Sequence, residues 1–83
     1  MNAEVKALIG RRVHELRVVI CNMTQQQFAA EIGAAFQHTI SDYERGVIKP
    51  GLSRCARMIS LAKQHGREID ILWLRPDLAA LGK

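Results

Sequence analysis

Met23 to Gly46 reads MTQQQFAAEIGAAFQHTISDYERG, and its punctuation decides how the rest of the chain must fold. Thr24 followed by Gln27 has the form of a capping box, in which each side chain satisfies the other residue's free backbone amide at a helix start. Phe28, Ala29 and Ile32 then share one apolar helical face about a turn long. Gly33 stands where a helix can end in a left-handed residue, a conformation glycine reaches without steric cost. A second segment, Gln37 to Arg45, turns Ile40 and Tyr43 inward, and Gly46 closes it as Gly33 closes the first. Two capped helices of about two turns, joined by a short Gly-containing connection, predict a helix-turn-helix.

These residues resemble the Cro/repressor-type (XRE-type) helix-turn-helix regulators. Members of that family run leucine, Thr or Ser, Gln, then Ala and Gly, then T-[IV]-S-x-[YIW]-E-x-G-x-x-x-P. The chain supplies Met23, Thr24, Gln25, Phe28, Ala29, Gly33, Thr39, Ile40, Ser41, Tyr43, Glu44, Gly46 and Pro50 against that pattern. A weaker likeness runs upstream through Ile9 to Arg17 and downstream to about Leu74. One departure stands out. Six residues, Ala34 to Thr39, separate Gly33 from Ile40, where the family has five, so the turn is one residue longer. The resemblance implies an all-α, compact five-helix bundle of the lambda repressor-like kind, and double-stranded DNA as partner.

Working outward, Ala3 to about Cys21 reads as the first helix, with Val5, Leu8, Ile9, Val13, Leu16 and Ile20 spaced as one stripe. Asn22 is suited to cap it in the left-handed conformation. Arg11, Arg12 and Arg17 project elsewhere, as a solvated face or as phosphate contacts. Val18 and Val19 fall too far round to share the stripe fully. Pro50 holds Lys49 extended, and Leu52 to His65 forms the next helix, with Leu52, Cys55, Ile59 and Ala62 on its core edge and Ala56, Met58 and Leu61 widening it. Gly66 ends it. Ile69 to Leu74 predicts a last short helix capped by Glu68 or Asp70, and residues 76–83 a tail with one turn at Asp77 to Leu81. Residues 1–83 thus read as a single domain.

Composition bounds the function. A chain of 83 residues buries only about 60% of its unfolded surface. A net charge of +4 is compatible with a polyanionic partner without demanding one. Cys21 and Cys55 stand far apart, and His14, His38 and His65 are scattered, so no metal and no cofactor are expected. No stretch approaches the ~20 apolar residues of a membrane span, and the expectation is a cytoplasmic protein. No nucleophile–base pair, carboxylate dyad or phosphate loop stands out, which argues against an enzyme.

Base reading in a helix-turn-helix falls to the front of the second helix. Gln37, three residues before Ile40, is where relatives carry Gln or Arg for this purpose. Gln25 matches a Gln that in relatives meets a phosphate and braces the base-reading side chain. His38, Ser41 and Arg45 are further outward candidates, and Lys49 is available to a phosphate. Asp42 would repel phosphates unless it pairs with Arg45 or accepts from cytosine, and Glu44 reads as a structural brace near Arg12 or Arg17. A palindromic operator needs two such helices, so a homodimer is expected. Ile69, Leu72 and Trp73 form its candidate interface, Trp73 reads equally as sealing the core, and Val18 to Cys21 is the fallback surface. The resemblance therefore implies a sequence-specific regulator, a repressor of the phage or antitoxin kind. The competing reading is a helical protein-interaction module without specific DNA binding, suggested by the longer turn and the run Val18 to Cys21.

Overall fold

The computed structural model describes residues 2–82, and side chains as far as Ala79; Met1 and Lys83 lie outside it. Its helices are α1 (Ala3–Glu15), α2 (Gln25–Ile32), α3 (Gln37–Glu44), α4 (Leu52–Gln64) and α5 (Ile71–Leu74), with no strand among the described residues. No helix among them is long and apolar enough to cross a membrane. α3 packs against both α1 and α2, α4 lies along α2, and α5 bridges α1 and α4. The core between them holds Ile9, Val13 and Leu16, then Phe28, Ala29 and Ile32, then Ile40 and Tyr43, then Cys55, Met58, Leu61 and Ala62, with Leu74 beneath.

Local signals explain the helix ends. Asn2 Oδ1 accepts the Val5 amide at 2.8 Å to start α1. At α2 the Thr24 hydroxyl accepts the Gln27 amide at 3.1 Å while Gln27 Oε1 accepts the Thr24 amide at 3.0 Å, so the capping box is complete. Gly33 (φ 79°) and Gly46 (φ 75°) both sit in the left-handed region, as expected from their places in the sequence.

The first helix does not run straight on to Cys21. Residues Leu16–Ile20 form a π-helical turn, with the Cys21 amide donating to the Leu16 carbonyl at 2.9 Å. A π turn aligns residue i with i+5. Cys21 therefore shares the core face with Leu16, while Ile20 is only half-buried and Val18 and Val19 both face outward. Asn22 then turns left-handed at φ 52°.

Three further expectations are corrected. On α4 the buried edge is Cys55, Met58, Leu61 and Ala62, whereas Leu52 is 60% exposed and Ala56 is exposed. Leu52 is the first residue of the helix, and the chain reaches it from the buried Pro50, which fills the core position there instead. The last α-helix begins at Ile71, because Asp70 Oδ1 accepts the Trp73 amide at 2.9 Å and so fixes Asp70 outside the helix. Pro76–Gly82 forms a 3-10 helix in contact with α1 and α5, where a tail with a single turn was expected.

Gly10, in the middle of α1, permits a close approach of α1 to the backbone of α3. A Cβ there would lie 2.5 Å from the Glu44 carbonyl oxygen and 2.6 Å from that of Tyr43. Both are backbone atoms, which cannot swing aside. Helix propensity alone favours alanine over glycine by about 1 kcal/mol, but the clash with α3 outweighs it. Gly10→Ala is expected to destabilise the chain by about 1–3 kcal/mol in urea denaturation. A more stable variant would mean that α1 and α3 do not meet at this point.

Candidate nucleic-acid interface

The carboxylate of Glu44, at the end of α3, is the point where three helices are joined. Arg17, in the π turn, donates to it through Nε at 2.6 Å and through Nη2 at 3.1 Å. His14 Nδ1 lies 3.2 Å from Oε1, and Gln25 Nε2 donates to the same oxygen at 3.2 Å. Arg17 also donates to the Met23 carbonyl at 2.9 Å, which ties down the connection between α1 and α2. Burial works to raise the Glu44 pKa, but the hydrogen bonds from Arg17, His14 and Gln25, with the Arg17 charge, hold it below the ordinary carboxylate value. The expected brace is thus found at Arg17. Arg12 is engaged elsewhere: its guanidinium lies over the Trp73 ring, 5.2 Å from the centroid, and donates to the Trp73 carbonyl.

With α3 held from behind, its outer surface is free. Gln37 and His38 are exposed at its start, Ser41 is half-buried, and Arg45 is exposed at its end. His38, Ser41, Asp42 and Arg45 follow one another at i, i+3, i+4 and i+7, so they line one face of the helix. Arg45 Nη2 donates to Asp42 Oδ1 at 2.7 Å. An exposed ion pair of this kind is worth at most about 1 kcal/mol, so the guanidinium can exchange the carboxylate for a phosphate at little cost. Gln25 is not part of this face. It is half-buried with its amide committed to Glu44, so it braces the end of α3 and not Gln37 at its start.

The connection between α2 and α3 places Gln37 at the first position of α3. Gly33 turns the chain, the Ala34 amide donates to the Ala29 carbonyl at 2.9 Å, and the Ala34 methyl is buried. Ala35 and Phe36 are exposed, and α3 starts at Gln37, three residues before the buried Ile40. Phe36 occupies the N-cap position, offers no side-chain hydrogen bond, and is 63% exposed.

Behind the far end of α3, the loop Val47 to Gly51 is fastened by the C-terminal segment. Arg75 is buried, donates to the Pro50 carbonyl at 2.8 Å, and forms a two-point pair with Asp77 at 2.9 and 2.7 Å. That pairing pushes the Arg75 pKa up and holds Asp77 below the usual carboxylate range. Lys49 Nζ lies 3.8 Å from Asp77 and remains about half exposed. The thiols of Cys21 and Cys55 are free and buried, and burial raises the pKa of each. No group of metal-ligating side chains occurs among the described residues.

Sequence reasoning passed over Gly10, Phe36, Arg12 against Trp73, and the Arg75 latch. Two of these left a signal. A glycine inside an apolar helical stripe marks a close contact, and an aromatic residue at a helix N-cap position, where Ser, Thr, Asp or Asn is preferred, leaves the first turn without a side-chain cap.

The Glu44 junction gives a pH test. Because its pKa is lowered on folding, its contribution to stability is complete above the unfolded-state value near 4.5 and is lost as pH falls through the lower folded-state value. Glu44→Gln is expected to cost about 1.5–3 kcal/mol near neutrality, the range for a hydrogen bond to a charged group. The difference from wild type should narrow as the pH is lowered below 4.5. A difference independent of pH would show that the ionised carboxylate is not what holds the junction.

Comparison with protein-family models, with curated protein sequences and with solved structures finds no match to this chain, so the functional reading rests on the residues described above.

Proposed function

We propose that the chain is a sequence-specific double-stranded DNA-binding regulator, built on a helix-turn-helix formed by α2 and α3 and acting as a repressor by occluding its operator. The observation that carries this reading is the division of α3 into two sides. Ile40, Tyr43 and Glu44 are committed to the core and to the three-helix junction, while Gln37, His38 and Arg45 are exposed. A helix supported this firmly from behind, with amide, imidazole and guanidinium groups on its free side, has the chemistry needed to read base edges in a major groove. Gln37 would pair with adenine through N6 and N7, and Arg45 and Lys49 would meet phosphates.

A dimer on a palindromic site completes the proposal. Of the three residues expected at its interface, Ile69 and Trp73 are half-buried against the core, and Trp73 is also covered by Arg12. Leu72 is 46% exposed and is the residue on which a two-fold contact through α5 would turn. The alternative of a protein-interaction module draws on Val18 and Val19, both exposed within the π turn at 40% and 69%.

A salt titration on random-sequence DNA separates the two readings. Binding that weakens steeply with salt supports the regulator; no binding even at low salt supports the interaction module. On a site selected from random DNA, Gln37→Ala is expected to lose about 1–3 kcal/mol and to relax preference at one base pair. Equal loss on every sequence would reduce Gln37 to a backbone contact. Sedimentation of Leu72→Asp should show a folded monomer where the wild type is a dimer, and a variant that still dimerises places the interface away from α5.

A further inference from the structure

Phe36 is the one aromatic residue among the large apolar side chains exposed in the described part of the chain. It also has a stacking partner. Its ring stacks on that of His38, with centroids 5.3 Å apart and planes 14° from parallel, within the range of offset aromatic pairs. His38 is the first residue of the outward row His38, Ser41, Asp42 and Arg45, so the stacked ring of Phe36 extends that row beyond the N-terminus of α3. The backbone supports the same placement. Phe36 is extended (φ −133°, ψ 142°), its carbonyl accepts the Thr39 amide at 3.2 Å, and Gln37 follows it directly. Phe36 therefore presents an apolar plate at the N-cap position, directly before the glutamine at the leading end of the helix.

We infer that Phe36 is a specificity-determining residue that packs on the C5-methyl group of a thymine, at or next to the base pair contacted by Gln37. This rests on the DNA-binding reading given above. The ligand class follows from the chemistry of the groove. Base edges in the major groove offer donors and acceptors to polar side chains, and the thymine methyl is the apolar group among them. A phenylalanine has no hydrogen bond to give, so that methyl is the feature it can recognise. Gln37 paired with adenine brings the matching thymine methyl into the same base pair. His38 acts as a positioning residue, holding the Phe36 ring upright by the stack.

The test uses the full chain and duplexes of its selected site in which each thymidine in turn is replaced by 2′-deoxyuridine, which removes only the methyl group. Wild type is expected to lose about three- to fivefold in affinity at one position in each half-site, the factor for one buried methyl. Phe36→Ala should bind the unmodified site with a similar loss and show no further loss at that position. Losses at other thymines should be unchanged. Phe36 is exposed and makes no capping bond, so the variant should melt with wild type; Phe36→Leu, which keeps an apolar side chain, should retain part of the sensitivity to the methyl. Site-specific binding in which no uracil effect depends on Phe36 overturns this inference while leaving the DNA-binding reading intact. A loss of dimer mass in Phe36→Ala with no change in uracil sensitivity also overturns it, in favour of a protein contact. Failure of the wild type to bind any DNA at low salt removes the DNA-binding reading, and this inference with it.

Discussion

A single half-buried carboxylate governs the geometry of this small fold. Glu44 sits at the end of α3 and draws Arg17 and His14 from one side and Gln25 from another. A carboxylate in such a place would be costly without partners, and a two-point guanidinium contact is the strongest available to it. Once made, the contact fixes more than a distance. It sets the roll of α3 about its axis, since the end that carries Glu44 is held while Ile40 and Tyr43 are sunk in the core. Gly10 allows the backbone of α1 to come close enough for the arginine and histidine to reach. The outward presentation of Gln37 and His38 follows from those two constraints.

Much of the frame could be read from the sequence because it depends on local chemistry. The capping box at Thr24 and Gln27, the left-handed glycines at 33 and 46, and the inward pair Ile40 and Tyr43 all arise from residues within one or two turns of each other. What escaped depends on contacts between distant segments. Nothing near Arg75 announces that its guanidinium will meet the carbonyl of Pro50, and nothing near Arg12 announces Trp73. The π turn escaped for a different reason. A stripe at three and four continues as readily to Ile20 as to Cys21, and the choice belongs to the packing around them.

The candidate surface was legible in its residue types and less so in their employment. Gln37, His38 and Arg45 are exposed and in the places expected of them. Gln25 is spent on the junction, because the Glu44 carboxylate has room for a third donor and the glutamine amide lies within reach. The polar groups of α3 carry little net charge, with Arg45 already matched by Asp42. Any affinity for a polyanion would therefore draw on the balance of the whole chain, and discrimination on the few side chains at the front of the helix.

The Arg75 latch gives the end of the chain an unexpected place in the hierarchy of local openings. Loops and termini usually exchange their amide hydrogens first, each on its own. Here the loop after α3 and the segment at Arg75 to Asp77 are joined through Pro50, with Lys49 beside the same carboxylate. The bond links two stretches 25 residues apart into one hydrogen-bonded unit. Opening of the segment at Arg75 would remove the hydrogen bond to Pro50 that supports the loop, so the backbone protection of the loop is expected to follow that of residues 75–77.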